Sequence, residues 1–157
     1  FNYIIKYYMN NYTNQFNPIL KQNELEHIRK YNIKKSNIKN AGLGCFSRIY
    51  IKNGDLLDEY YGILISPNTI PIKNLDRSWS INPNLFLDGS NLLYYKNPLM
   101  YINGCSKIED FKLRNVEAYI QDNSVFYFAT SDIYPGDELI VDYGNQYFTS
   151  RGLPYEN

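Results

Sequence analysis

Residues 116–141 constrain the fold of this chain more than any other stretch. Two apolar runs, 116–120 and 125–129, flank Gln121-Asp122-Asn123-Ser124. That spacing predicts a β-hairpin, because two alternating apolar runs flank a short polar segment. Pro135-Gly136 then turns the chain into a third run, Leu139 to Val141, which delivers Tyr143 to its end.

The remaining punctuation is of the same kind. Gly42-Leu43-Gly44 reads as a tight turn before Cys45-Phe46, Asn53-Gly54 as a turn, and Leu56 to Tyr61 as a strand ending at Gly62. Tyr31 to Ile38 reads as a short strand. Ser78 to Ile81 and Leu85 to Leu87 form a second hairpin around Asn82-Pro83-Asn84, and 66–77, with Pro67 and Pro71, is loop. One helix is predicted over 18–30, capped by Asn17 with Pro18 at its first position. Many short strands, Gly/Pro turns and little helix indicate a mostly β domain.

Composition sets the outer limits. At 157 residues the chain is one domain, able to bury a core without staples. Cys45, Cys105 and His27 give no disulfide framework and no zinc spacing, so no metal is expected and both thiols read as structural. No apolar run approaches the roughly 18 residues of a membrane span, and an intracellular place, nuclear or cytoplasmic, fits. Residues 1–40 carry seven Lys/Arg against two Glu, whereas 41–157 carry nine against fourteen Asp/Glu. The acidic body suits a basic peptide; the basic leading segment suits nucleic acid or a solvated surface equally. Tyrosine is abundant at 17 residues, in a chain also rich in Asn, Ile and Lys, so codon bias discounts any single tyrosine.

Read in order, Gly42-Leu43-Gly44-Cys45-Phe46, Ile51-Lys52-Asn53-Gly54-Asp55, Glu59-Tyr60-Tyr61-Gly62, Asn103-Gly104-Cys105-Ser106 and Asp137-Glu138-Leu139-Ile140-Val141-Asp142-Tyr143-Gly144 resemble the motifs of a SET domain. Ser78-Trp79-Ser80-Ile81, Phe86-Leu87-Asp88-Gly89 and 97–103 are similar to the PR-type branch in particular. Each motif alone is weak; their joint order and spacing over about 31–148 carry the resemblance. It implies a fold of several small sheets with a knot-like C-terminal segment. It also implies a helical extension over 1–30, a catalytic domain over 31–148 and a short tail over 149–157.

The resemblance further implies methyl transfer from S-adenosyl-L-methionine to a lysine side chain of a protein, with a histone as one candidate. The lysine must be neutral, which costs about 4.6 kcal/mol at pH 7 from a reference pKa of about 10.4. An aromatic-walled channel helps by destabilising the charged form. By motif, Tyr143 is the catalytic tyrosine, with Tyr60 and Tyr127 lining the channel; core packing is the plain alternative for the latter two. Gly42, Leu43, Gly44, Asn103 and Gly104 are expected around the cofactor, Gly104 through its backbone where relatives carry histidine. Trp79 borders the same pocket or belongs to the core. Val141 replaces a larger aromatic of many relatives and leaves room for more than one methyl group.

Two departures remain open. The chain lacks a cysteine-rich zinc segment, and only nine residues follow Phe148. Either Tyr147, Phe148 and Tyr155 cover the lysine channel, or a second subunit (a homodimer) or a further region does. The alternative to an enzyme is a catalytically silent SET-like module that binds a peptide or protein partner.

Overall fold

The computed structural model describes residues 26–69, 76–90, 92, 96–105 and 112–149. The predicted Asn17 cap and Pro18, helix positions 18–25, loop positions 70–75, Ser106 and Tyr155 lie outside these residues. The described end of the helix, α1, covers 26–30. It docks through His27, which is buried and lies 2.9 Å from the Asp58 carboxylate.

Among the described residues ten short strands follow: β1 (Tyr31–Lys35), β2 (Leu43–Ser47), β3 (Leu56–Tyr60), β4 (Ile63–Ile65), β5 (Ser78–Asn82), β6 (Leu85–Asp88), β7 (Asn103–Gly104), β8 (Val116–Gln121), β9 (Ser124–Ala129) and β10 (Ile140–Val141). They form four small sheets, ordered β1-β2, β10-β7, β3-β9-β8 and β4-β6-β5. Among the described strands only β7 and β10 pair in parallel. A short helix, α2 (Asn145–Thr149), ends the described chain.

The expected hairpin is present as β8–β9, with Ala118 opposite Tyr127. Asp122 and Asn123 both have positive φ, 49° and 68°, the two-residue turn whose twist matches its strands. The second hairpin is β5–β6. The Gly42–Gly44 reading needs a correction: the turn ends at Gly42, with φ +76°, and β2 already begins at Leu43. β4, the 3₁₀ turn Pro98–Tyr101 and α2 had no sequence assignment.

The C-terminal segment is held from several sides. Leu139 N–H donates to the Cys45 carbonyl at 2.8 Å, and Asn115 N–H donates to the Ile140 carbonyl at 3.0 Å. The Asn115 side chain imitates a strand partner: its Nδ2 donates to the Glu138 carbonyl at 2.8 Å, and its Oδ1 accepts from Ile140 N–H at 2.9 Å. The core gathers around this crossing, with Cys45, Leu99, Ile102, Val125, Tyr127, Ile133 and Leu139 almost fully buried. Among the described residues no helix is long and apolar enough to cross a membrane.

Candidate functional site

β7 is the centre of the candidate site. Successive residues of a strand face opposite ways, and here they face two different environments. Asn103 enters a polar network: its Nδ2 donates to the Leu43 carbonyl at 2.9 Å and to Glu138 Oε1 at 3.3 Å. Glu138 also accepts from Ser36 Oγ at 2.6 Å and from Asn37 N–H at 2.7 Å. Because both partners of the Asn103 amide are acceptors, its nitrogen must point at them and its Oδ1 away. Gly44 makes the approach possible. A Cβ there would overlap Glu138 Oε1 and lie 3.2 Å from Asn103 Nδ2.

Gly104 lies under the Tyr143 ring. A Cβ at 104 would overlap Cδ2 of that ring and lie 2.8 Å from its Cε2. Any side chain at 104, the relatives' histidine included, therefore requires the ring to move. The Tyr143 hydroxyl donates to the Ile102 carbonyl. Arg114 braces both strand ends, donating to the Asp142 carboxylate at 2.7 Å and to the Cys105 carbonyl at 3.3 Å.

From Tyr143 an aromatic wall runs in both directions. Trp79 stands edge-on to it at 6.4 Å and to Tyr127 at 6.0 Å, and Tyr127 lies 6.5 Å from Tyr60. On the other side Tyr147 and Phe148 of α2 lie 4.4 and 6.2 Å from Tyr143. Trp79 Nε1 donates to the Tyr127 hydroxyl at 3.1 Å, and the Tyr60 hydroxyl donates to the Arg77 carbonyl at 2.5 Å. Burial, then the Asp88 charge, pushes the Tyr60 phenol up; burial, then Tyr143 and Tyr60, pushes Tyr127 well up. Both stay neutral hydroxyls at physiological pH. Burial, then Glu138, likewise raises the Cys45 thiol, as fits a structural cysteine.

Two clefts are lined by residues that β7 touches: one by Tyr143, the other by Leu43. One, of about 420 Å³, is lined by Trp79, Val116, Ala118, Val141 and Tyr143, with Glu117, Asp142 and Arg114 at its polar edge. The other, of about 320 Å³, is lined by Tyr31, Ile33, Leu43, Pro98 and Tyr101 among others. Leu43, 49% exposed, turns its side chain outward, while its carbonyl is engaged by Asn103.

The structure thus collects the residues singled out in the sequence into two groups. Leu43, Gly44, Asn103 and Gly104 meet at β7, with Gly42 at the adjoining turn. Tyr60, Tyr127, Tyr143, Val141, Tyr147 and Phe148 belong to the aromatic side. Trp79 stands with the tyrosines rather than with the glycine turn. Glu138, Ser36, Asn115 and Arg114 were missed as site residues. Glu138 alone carried a signal, as the carboxylate directly before the apolar run Leu139 to Val141.

Several small sheets with only short helices, and a C-terminal strand paired in parallel with β7, are the architecture of a SET-type domain. The family description "PR domain zinc finger protein 2, PR domain" matches residues 31–154, and the chain belongs to this PR-type branch of the SET family. It is similar to the histone-lysine N-methyltransferase set-17 of Caenorhabditis elegans, with 30% identity over 120 residues, 74% of this chain and 42% of that relative. It therefore spans less than half that relative's length. A candidate histone methyltransferase from Plasmodium falciparum shares the fold at 24% identity and TM-score 0.55, over 74% of this chain and 95% of that one. So does the ATXR5 SET domain, solved with histone H3 dimethylated on R26, at 20% identity and TM-score 0.60, over 74% and 58%.

Proposed function

We propose that this domain transfers a methyl group from S-adenosyl-L-methionine to a lysine side chain of a protein, with a basic histone-type segment as the substrate class. The carrying observation is β7. Asn103 engages the Leu43 carbonyl, beside one cleft, and the next residue carries the Tyr143 ring, which lines the other. Residues expected at the cofactor and at the lysine are thereby adjacent on one strand, as a direct transfer requires.

The donor set fits the cofactor. The Asn103 Oδ1 accepts from no donor among the described residues, and Gly44 lets Glu138 come close enough to hold the Asn103 amide in that orientation. Leu43, Gly44, Asn103 and Gly104, with the Gly42 turn, would hold it. When bound, the cofactor supplies an electrophilic methyl group on sulfur. Leu43 and Asn103 offer carbonyl acceptors suited to its ammonium group.

On the other side Tyr60, Tyr127 and Tyr143 exclude water and disfavour a charged lysine, so the amine is held as the neutral nucleophile. Their hydroxyls orient its lone pair, and the proton it releases leaves through the cleft. Glu117 and Asp142, opposed by Arg114, leave the cleft edge negative on balance, which favours basic neighbours of the target lysine. Tyr147 and Phe148 cover Tyr143, and Val141 leaves volume for a methylated amine. A nuclear or cytoplasmic place follows from such a substrate.

One observation favours the silent binding module instead. All three tyrosine hydroxyls already have protein partners: Ile102, Arg77 and Trp79. Calorimetric titration with S-adenosylhomocysteine, followed by tritiated methyl transfer to core histones, separates the readings. Binding with transfer supports the enzyme; binding without transfer to histones or whole-cell protein supports the silent module; no binding by folded protein overturns both cofactor-dependent forms.

A further inference from the structure

Glu138 is 7% exposed and carries no cationic partner among the described residues, yet its carboxylate lies inside the domain. Burying a carboxylate is costly unless hydrogen bonds replace its water. Three do so here, and they come from two separate places. Ser36 Oγ and Asn37 N–H belong to the segment after β1, whereas Asn103 Nδ2 belongs to β7. Its backbone is fixed as well, since the residue forms a bridge with Phe46 on β2.

A space-filling residue would need none of this. The effect of the arrangement falls on Asn103, whose amide nitrogen is drawn by the Leu43 carbonyl and the Glu138 carboxylate together. The Oδ1 is thereby turned outward, and a negative charge stands directly behind it. An outward carbonyl oxygen backed by a buried carboxylate is a receptor for a cation, and Gly44 is what lets the carboxylate come so close.

We propose that Glu138 is a positioning residue for the amino-acid end of the cofactor: it holds Asn103 as an acceptor and supplies the charge that favours an ammonium group. The proposal rests on the cofactor reading above and adds a discrimination to it. Glu138 should matter for ligands that carry the ammonium and not for the nucleoside part.

The test compares S-adenosylhomocysteine with 5′-methylthioadenosine, which lacks the amino-acid group, by calorimetry on the wild type and Glu138→Gln. Glutamine keeps the shape but removes the charge and places an NH₂ among three donors. The expected result is a loss on the order of tenfold for S-adenosylhomocysteine, the size of one charge-assisted contact, with 5′-methylthioadenosine affinity unchanged. Where turnover is measurable, KM for the cofactor rises while kcat is kept. Equal losses for both ligands, or no loss for either, overturn the positioning role and leave the cofactor reading intact. A wild type that binds neither ligand overturns the cofactor reading itself, and this proposal with it. If Glu138→Gln does not fold, Ser36→Ala serves. It removes the carboxylate's 2.6 Å anchor and should cost S-adenosylhomocysteine a few-fold with 5′-methylthioadenosine unaffected; an unchanged ratio of the two affinities counts against the role.

Discussion

Asn103 and Gly104 are neighbours on a two-residue strand, and their surroundings work by different physics. On the Asn103 side every contact is directional: an amide, a carbonyl, a carboxylate and a hydroxyl, at 2.6–3.3 Å. Remove one partner and a buried polar atom is left unsatisfied, at about 1–3 kcal/mol. On the Gly104 side rings meet at centroid distances of 4.4–6.5 Å, and shape decides. Rings tolerate small shifts but not added volume. The cradle should therefore fail through lost hydrogen bonds and altered binding, and the wall through displaced rings and altered turnover.

The two glycines test this division most severely. Gly104→Ala pushes the Tyr143 ring off its seat and should lower turnover by about a hundredfold or more, the usual effect of misplacing a reacting group by an ångström. Cofactor affinity should change far less. Gly44→Ala collides with Glu138 and Asn103 instead, so cofactor binding should collapse first. Stopped-flow or single-turnover transfer together with calorimetry would show a crossed pattern. Parallel losses in both variants would mean that β7 does not separate two functions.

Tyr143→Phe is the next largest. Losing a preorganised hydroxyl should reduce turnover on the order of a hundredfold, roughly 3 kcal/mol. That hydroxyl also satisfies the carbonyl of buried Ile102, so urea unfolding should register a further loss of about 1 kcal/mol. Near wild-type transfer by the mutant would move the catalytic assignment to Tyr60 or Tyr127.

On the cradle side, S-adenosyl-L-methionine at about one hundred times its dissociation constant should stabilise the fold by roughly 2.7 kcal/mol. A thermal shift of several degrees follows for a chain of this size. Asn103→Ala should remove most of it. A full shift retained by the mutant would show that the nucleoside end dominates.

How far the sequence could be read follows the same line between the two sides. The β8–β9 hairpin was legible because its partners are adjacent in the chain and the pattern alternates. Tyr143 and Asn103 stand out in the sequence as site candidates only as members of ordered motifs. Ser36 and Glu138 are 102 positions apart, and nothing local announces that they meet. Asn115 looks like a loop asparagine until β10 is laid against it. The onset of β2 at Leu43 was missed for a related reason: glycines suggest a turn, whereas Gly44 is required by the Glu138 side chain rather than by its own φ.

Val141 gives a smaller effect and sharpens the wall's dependence on volume. It is 2% exposed and lines the larger cleft. With valine there, di- or trimethyl-lysine is the expected end product. Val141→Tyr should shift the product toward monomethyl while costing about 1–3 kcal/mol of stability through overpacking. Mass spectrometry of an exhaustively treated peptide decides it; monomethyl product alone from the wild type would remove the argument.

The smallest effect expected is that of alkali on the wall below about pH 10. Tyr60 and Tyr127 both have phenols raised by burial in the folded state. A group raised in this way ionises more readily once unfolded, so its contribution to stability is fully present below the unfolded tyrosine value of about 10. It is lost as pH climbs from there toward the raised folded values. Between neutrality and that point, any rise in turnover belongs to the substrate lysine losing its proton, not to the wall. Absorbance at the tyrosinate band, followed beside circular dichroism, should show the buried phenols ionising only as the fold is lost. Ionisation of either buried tyrosine near pH 10 in still-folded protein would mean that water reaches the wall, and the argument for a dry lysine channel would fail with it.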